Sequence, residues 1–129
     1  MSTLRVNTLQ DATGSNQPAM VGAAKAWVNF NGTGTVAIRE SFNVSSITDN
    51  GTGEYTVNFT NALLDADYSS MGCAMKQDGN GYSVYPNAKS IAPYYTAPTA
   101  SSFTVMTSLT YNTTGTKADC EYVNIAVFR

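Results

Sequence analysis

Residues 25–59 read KAWVNFNGTGTVAIRESFNVSSITDNGTGEYTVNF, and their alternation decides the fold. In the first seven, Ala26, Val28 and Phe30 point one way while Lys25, Trp27 and Asn29 point the other. That is the two-residue period of a strand, not the 3.6-residue period of a helix. Asn31-Gly32-Thr33-Gly34 then forms a turn, because Asn-Gly supplies the positive φ values that a tight hairpin needs. Val36 and Ile38 share a face of the next strand. In SFNVSSIT, Phe42 and Val44 share a face before the pattern shifts to Ile47, which predicts a bulge near Ser45-Ser46. Asp49 to Gly53 is a second turn, and Tyr55, Val57 and Phe59 point inward on the return. The two NGTG turns, at Asn31 and Asn50, repeat one hairpin device locally and do not make a solenoid.

The same reading extends downstream. Ala62 to Asp67 has the length and polarity of a connection between sheets. Tyr68 to Lys76 is a strand with Met71, Cys73 and Met75 on one face, turned by Asp78-Gly79-Asn80-Gly81. Tyr82, Val84 and Tyr85 begin the return and Pro86 ends it. Residues 86–101 form the longest irregular stretch, and FTVMTSLTYN contributes Phe103, Val105, Leu109 and Tyr111. In the last strand Val123, Ile125 and Val127 line one face, and Tyr122, Ala126 and Phe128 line the other. A strand apolar on both faces is buried on both, which points to a subunit interface at Tyr122, Ala126 and Phe128, or else to a covering loop. The expected fold is all-β: a single antiparallel β-sandwich of about eight strands over residues 25–129. Its predicted core is Val28, Phe30, Val36, Ile38, Tyr55, Val57, Phe59, Phe103, Val105, Val123, Ile125 and Val127.

Composition agrees and excludes several functions. The 129 residues carry seven Lys/Arg, nine Asp/Glu and no His. Thr, Ser and Asn make up almost a third of the chain, as suits strands with polar outer faces and tight turns. Without His there is no Ser–His–Asp triad, no Cys–His pair and no His-containing zinc site. A formal charge of −2 argues against nucleic acid as a partner. No apolar run is long enough for membrane insertion. The opening Met1-Ser2-Thr3-Leu4-Arg5 lacks the pattern of a secretory signal, so the expectation is a cytoplasmic origin with Cys73 and Cys120 as free thiols.

The motifs that carry chemistry are few. Asp78-Gly79-Asn80-Gly81 is a piece of a calcium loop without the ligand count calcium requires, and it reads as a plain turn. Neither Gly-x-Gly has the context of a phosphate loop. Neither a cofactor nor a metal is expected. Glu40, Glu54, Asp119 and Glu121 lie in or beside strands and fit solvated faces, so no carboxylate pair for glycoside hydrolysis is read here. Tyr82, Tyr85, Tyr94 and Tyr95, beside Asp78, Asn80, Asn87 and Lys89, offer rings to stack on sugar faces and polar groups to bond hydroxyls. The competing reading puts these rings in the core or between subunits.

Residues 24–60, with AWVNFNG followed by SFNVSSITDNGTGEYTVNF, resemble a segment that recurs in tail-fibre and tail-tip proteins of tailed phages, many of them marine. LRVNTLQDATGSN resembles the short leader of cyanophage-type fibre proteins. The resemblance implies a virion tail protein, assembled in the host cytoplasm, homotrimeric, with a β-sandwich forming the attachment tip; it defines no catalytic residues. On it rests the expected function, a non-enzymatic receptor-binding protein that recognises a host surface glycan or protein. The alternatives are a structural tail or capsid accessory protein and, more distantly, a glycan-cleaving spike. Residues 1–24 are read as an arm that joins other virion tail proteins, with Leu4, Val6 and Leu9 adding a short strand to an exposed sheet edge; a frayed terminus is the other reading. The receptor-facing loops are expected at the end opposite that arm.

Overall fold

The computed structural model describes residues 23–78, 80, 82–86, 97–109 and 116–129. Eight strands occur among them, with no helix: β1 (Ala24–Asn31), β2 (Ala37–Phe42), β3 (Val44–Gly51), β4 (Glu54–Phe59), β5 (Ser69–Met75), β6 (Tyr82–Pro86), β7 (Ser102–Leu109) and β8 (Tyr122–Phe128). All pair antiparallel in one nearly closed sheet of order β2-β1-β8-β5-β6-β7-β4-β3. The two edges, β2 and β3, do not pair, although one residue joins them.

That residue is Asn43, at φ 54° in the left-handed region that Asn tolerates better than most residues. Its side chain holds three points of chain: Nδ2 donates to the carbonyls of Lys25 (3.2 Å) and Asn61 (3.1 Å), and Oδ1 accepts from the Asn61 N–H (2.8 Å). The corner reverses parity. Phe42 and Val44 therefore do not share a face: Phe42 stands 54% exposed on the outside while Val44 is buried. The expected bulge is also present, as a register shift between Val44 and Ser46 against β4.

The inward rows follow the alternation. Val28, Phe30, Tyr55, Val57, Phe59, Phe103, Val105, Val123, Ile125 and Val127 are buried, as predicted, together with Ala26, Val44 and Cys120. Val36 and Ile38, placed in the core by their spacing, are only partly buried, because they precede or belong to edge strand β2. The sheet curls until β1 meets β4 across the interior, where the rings of Phe30 and Tyr55 pack edge to face with centroids 5.1 Å apart. A second aromatic cluster joins Phe59, Tyr68 and Phe103 at 5.7–5.9 Å. On β5 the inward positions are Ser70, Gly72 and Ala74, opposite Val127, Ile125 and Val123. A Cβ on Gly72 would run into the Asn124 carbonyl and crowd the side chains of Val84 and Ile125, so glycine alone fits there without a shift of the neighbouring strand.

Register fixes the two ends of the molecule. The turn end carries residues 31–35, 51–53 and 76–78, with the starts of β6 and β8. The corner end carries Ala24, Asn43, residues 60–68, 97–101 and Arg129. The passage from β7 to β8 crosses the turn end, and its described part, residues 116–121, is fastened to both hairpin turns. The Gly32 N–H donates to the Cys120 carbonyl (2.8 Å), and the Gly53 N–H donates to Asp119 Oδ1 (2.7 Å). The Tyr55 hydroxyl is shared between Asp119 Oδ1 (2.9 Å) and the Gly32 carbonyl (3.1 Å).

Candidate interaction face

The outer surface of the sheet divides into two unlike halves. On β3, β4 and β7 the outward positions are Thr48, Thr56 and Thr104 in one row and Ser46, Asn58 and Ser102 in the next. Asn58 Nδ2 ties this ladder together by donating to Ser46 Oγ (3.1 Å) and Thr48 Oγ1 (3.0 Å). Hydroxyls and amides that bond one another and water have little to gain from burial.

The other half is apolar. Register aligns Phe42 of β2, Trp27 of β1, Ala126 of β8 and Met71 of β5 in one row across four strands. Phe42 is 54% exposed, Trp27 37% and Met71 61%. Between the Trp27 and Met71 walls, small Ala126 leaves an open groove of about 440 Å³. The adjoining row is polar: Glu40, Asn29, Asn124 and Cys73. Asn29 Nδ2 donates to Asn124 Oδ1, and Asn124 Nδ2 lies 3.8 Å from the Cys73 sulfur. Beyond it Met75 pairs with Tyr122, whose ring carries the Arg39 guanidinium 4.3 Å above its centroid. Large exposed side chains scattered singly are ordinary on a globular domain; here they align in one row beside a groove, which makes this face the candidate for an interaction.

The expected interface residues fall on this face. Tyr122, Ala126 and Phe128 are half-buried and point outward from β8, which lies inside the sheet between β1 and β5. Trp27, Phe42 and Met71 were not read as site residues. The alternation already turned Trp27 outward, and Met71 shares its face with Cys73 and Met75; Phe42 was hidden by the parity change at Asn43.

The expected receptor residues are not gathered in one place. Asp78, Asn80 and Tyr82 stand at the turn end, whereas Tyr85 lies toward the corner end of β6, 42% exposed and paired with Met106. Pro86, the last residue of β6, pairs with Val105, and β7 begins at the corner end, the end where β1 begins. Tyr94, Tyr95, Asn87 and Lys89 lie outside the described residues, as do Leu4, Val6 and Leu9 of the arm. The Tyr82 ring packs partly against the core, and its hydroxyl donates to Asp78 Oδ2. That bond holds the Asp78 carboxyl below its ordinary range and pushes the Tyr82 phenol up to about 12.

Neither a family model, nor a curated protein, nor a solved structure matches this chain. Its chemistry is therefore argued from its own residues.

Two carboxylates, Glu54 and Asp119, depart from the solvated reading. Glu54 is buried, with Oε1 3.2 Å from Lys117 Nζ, because the 116–121 crossing lies over the start of β4. Asp119 is half-buried and accepts from Tyr55 and Gly53, so it acts as a fastener of the turns. Burial, then the Asp119 carboxylate, pushes the Tyr55 phenol far above its ordinary value; burial alone raises Tyr68 to about 12 and also raises the Cys120 thiol. Cys73 is exposed, Cys120 is buried, and both are free thiols.

Proposed function

We propose that this chain is a non-enzymatic attachment protein of a phage tail, working as an assembly of three copies. The observation that carries the reading is the apolar row Phe42–Trp27–Ala126–Met71 on a small domain whose outer face over β3 and β4 is a Thr/Ser/Asn ladder. Such a surface is built to be covered on one side and wetted on the other. The resemblance of residues 24–60 to tail-fibre and tail-tip segments supplies the setting. In this reading the sheet works as a sandwich, with layers β2-β1-β8-β5 and β6-β7-β4-β3; the first faces the other copies and the second faces water.

Because β1 starts at the corner end, an anchoring arm there directs the turn end, with Asp78, Asn80 and Tyr82, toward the host. Loops on a rigid β scaffold are the usual carriers of binding. The test is adsorption of the purified chain to host cells. Saturable binding that competes with intact particles, and that weakens on Asp78→Ala or Asn80→Ala, supports the proposal. Normal incorporation into particles without any cell binding favours a structural accessory protein and defeats the receptor assignment.

A further inference from the structure

We infer that the partner of the apolar face is a second copy of this chain, seated with its bulky half on the recessed half of the next. The inference rests on the assembly reading above and names the contact that makes the assembly. The row is asymmetric along its length. On β2 and β1 it projects Phe42 and Trp27; on β8 it sinks to Ala126, before rising again at Met71 on β5. A surface with projecting rings at one end and a groove of about 440 Å³ beside them complements itself, ring into groove, from one copy to the next. Met71 supplies an adaptable wall, since its unbranched thioether changes shape to fit what enters.

Area separates a second copy from a small ligand. Phe42, Trp27, Met71 and Met75 together leave roughly 400 Å² in water, about half of the roughly 800 Å² per partner of a standard interface, and half-buried Tyr122, Ala126 and Phe128 extend the strip, with the Glu40–Asn29–Asn124 row as its rim. Composition agrees. Trp, Phe, Tyr, Met and an Arg stacked on an aromatic ring are the side chains enriched at such contacts, while Arg39 and Glu40 sit on edge strand β2 and Lys25 near the start of β1. Docking of sheet faces also leaves the Thr48–Thr56–Thr104 ladder outward, with exposed Thr48 and Ser46 in water.

The face contains its own reporters. Trp27 is the sole tryptophan of the chain, and Cys73 beside the groove is the exposed thiol, Cys120 being buried. The experiment is light scattering on the full chain over a wide concentration range, with tryptophan emission and the rate of thiol alkylation followed in parallel. The expected result is a mass that is a multiple of 13.7 kDa, accompanied by blue-shifted Trp27 emission and slowed Cys73 alkylation. Ala126→Arg puts an unpaired charge into the groove and weakens association by about a hundredfold or more, restoring red-shifted emission and fast alkylation. Should circular dichroism show Ala126→Arg unfolded, Phe42→Asp at the exposed edge carries the same expectation. A mass of 13.7 kDa at every concentration overturns the inference, as does an oligomer indifferent to both substitutions with Trp27 and Cys73 still accessible. A monomeric chain that binds host cells overturns this contact and leaves attachment standing. A self-assembled chain that neither binds cells nor enters particles supports the contact and defeats the attachment reading.

Discussion

Tyr55→Phe removes one oxygen from the junction where β4, the 31–35 turn and the 116–121 crossing meet. The ring stays against Phe30, so the change leaves almost no cavity. What is lost is a donor that serves the Asp119 carboxylate at 2.9 Å and the Gly32 carbonyl at 3.1 Å. A hydrogen bond to a charged acceptor contributes about 1.5–3 kcal/mol, and Asp119 keeps the Gly53 N–H, so the expected loss is about 2 kcal/mol. With an unfolding entropy of about 2.1 cal/mol/K per residue, that loss lowers the melting temperature by roughly 7 °C. The assay is thermal unfolding followed by circular dichroism, run on Tyr55→Phe, Asp119→Asn and the double variant. The two single costs should overlap by about 1 kcal/mol, since each removes the same bond. A melting temperature within about 2 °C of the parent, or strictly additive losses, refutes the idea that this bond fastens the crossing to the sheet.

Further outcomes follow from the same packing. Asn43→Gly should lose the three side-chain bonds of the corner but keep its backbone, costing about 2 kcal/mol in chemical denaturation; Asn43→Ala should cost about 1 kcal/mol more, because Ala resists positive φ. Gly53→Ala should destabilise by more than about 2 kcal/mol, since φ is +65° and a Cβ there runs into the Thr107 carbonyl and Ala118. Phe103→Ala, emptying the cluster with Phe59 and Tyr68, should cost about 3–5 kcal/mol in the same measurement. The phenols of Tyr55 and Tyr68 lie above their unfolded value near 10, so their contribution is complete below pH 10 and declines above it, that of Tyr68 being lost as pH climbs through about 12 and that of Tyr55 at still higher pH. Melting temperatures recorded from pH 8 upward should therefore fall beyond pH 10, and a flat profile through pH 12 contradicts the burial of these two rings.

The strands were legible wherever one face is buried and the other solvated. Ala26-Val28-Phe30, Tyr55-Val57-Phe59 and Val123-Ile125-Val127 alternate because the core demands it. Three features were not legible, each for a physical reason. The parity change at Phe42 depends on the dihedral angles of Asn43, which side-chain hydrophobicity does not encode. The burial of Glu54 depends on a crossing some sixty residues later in the chain, folded back over its strand with Lys117. On β5 a period of two reveals two faces without saying which faces in, and it is the closeness of Asn124, Val84 and Ile125 that admits Gly72 and turns Met71 outward. The polar and aromatic loop residues looked like one surface in sequence, yet β6 carries Tyr82 at its start and Pro86 at its end, paired with Leu109 and Val105 of β7.

The pairing of β1 with β8 also sets a timetable. Asn29 and Asn124, bonded side by side, are 95 residues apart in the chain. At about 5–20 residues per second, a ribosome needs on the order of 5–20 s to bring β8 to the strand it must cover. Throughout that interval the β1–β2 hairpin exists as a nascent two-stranded ribbon, too small to be stable by itself. Its Val28 and Phe30 have no interior to enter, and one backbone edge of β1 is open to any extended neighbour. Polypeptides emerging together from one messenger are the neighbours at hand, so crowding on a polysome raises the chance that β1 pairs with the wrong chain. Slower initiation, which spaces the ribosomes, should raise the yield of soluble product without any change in sequence.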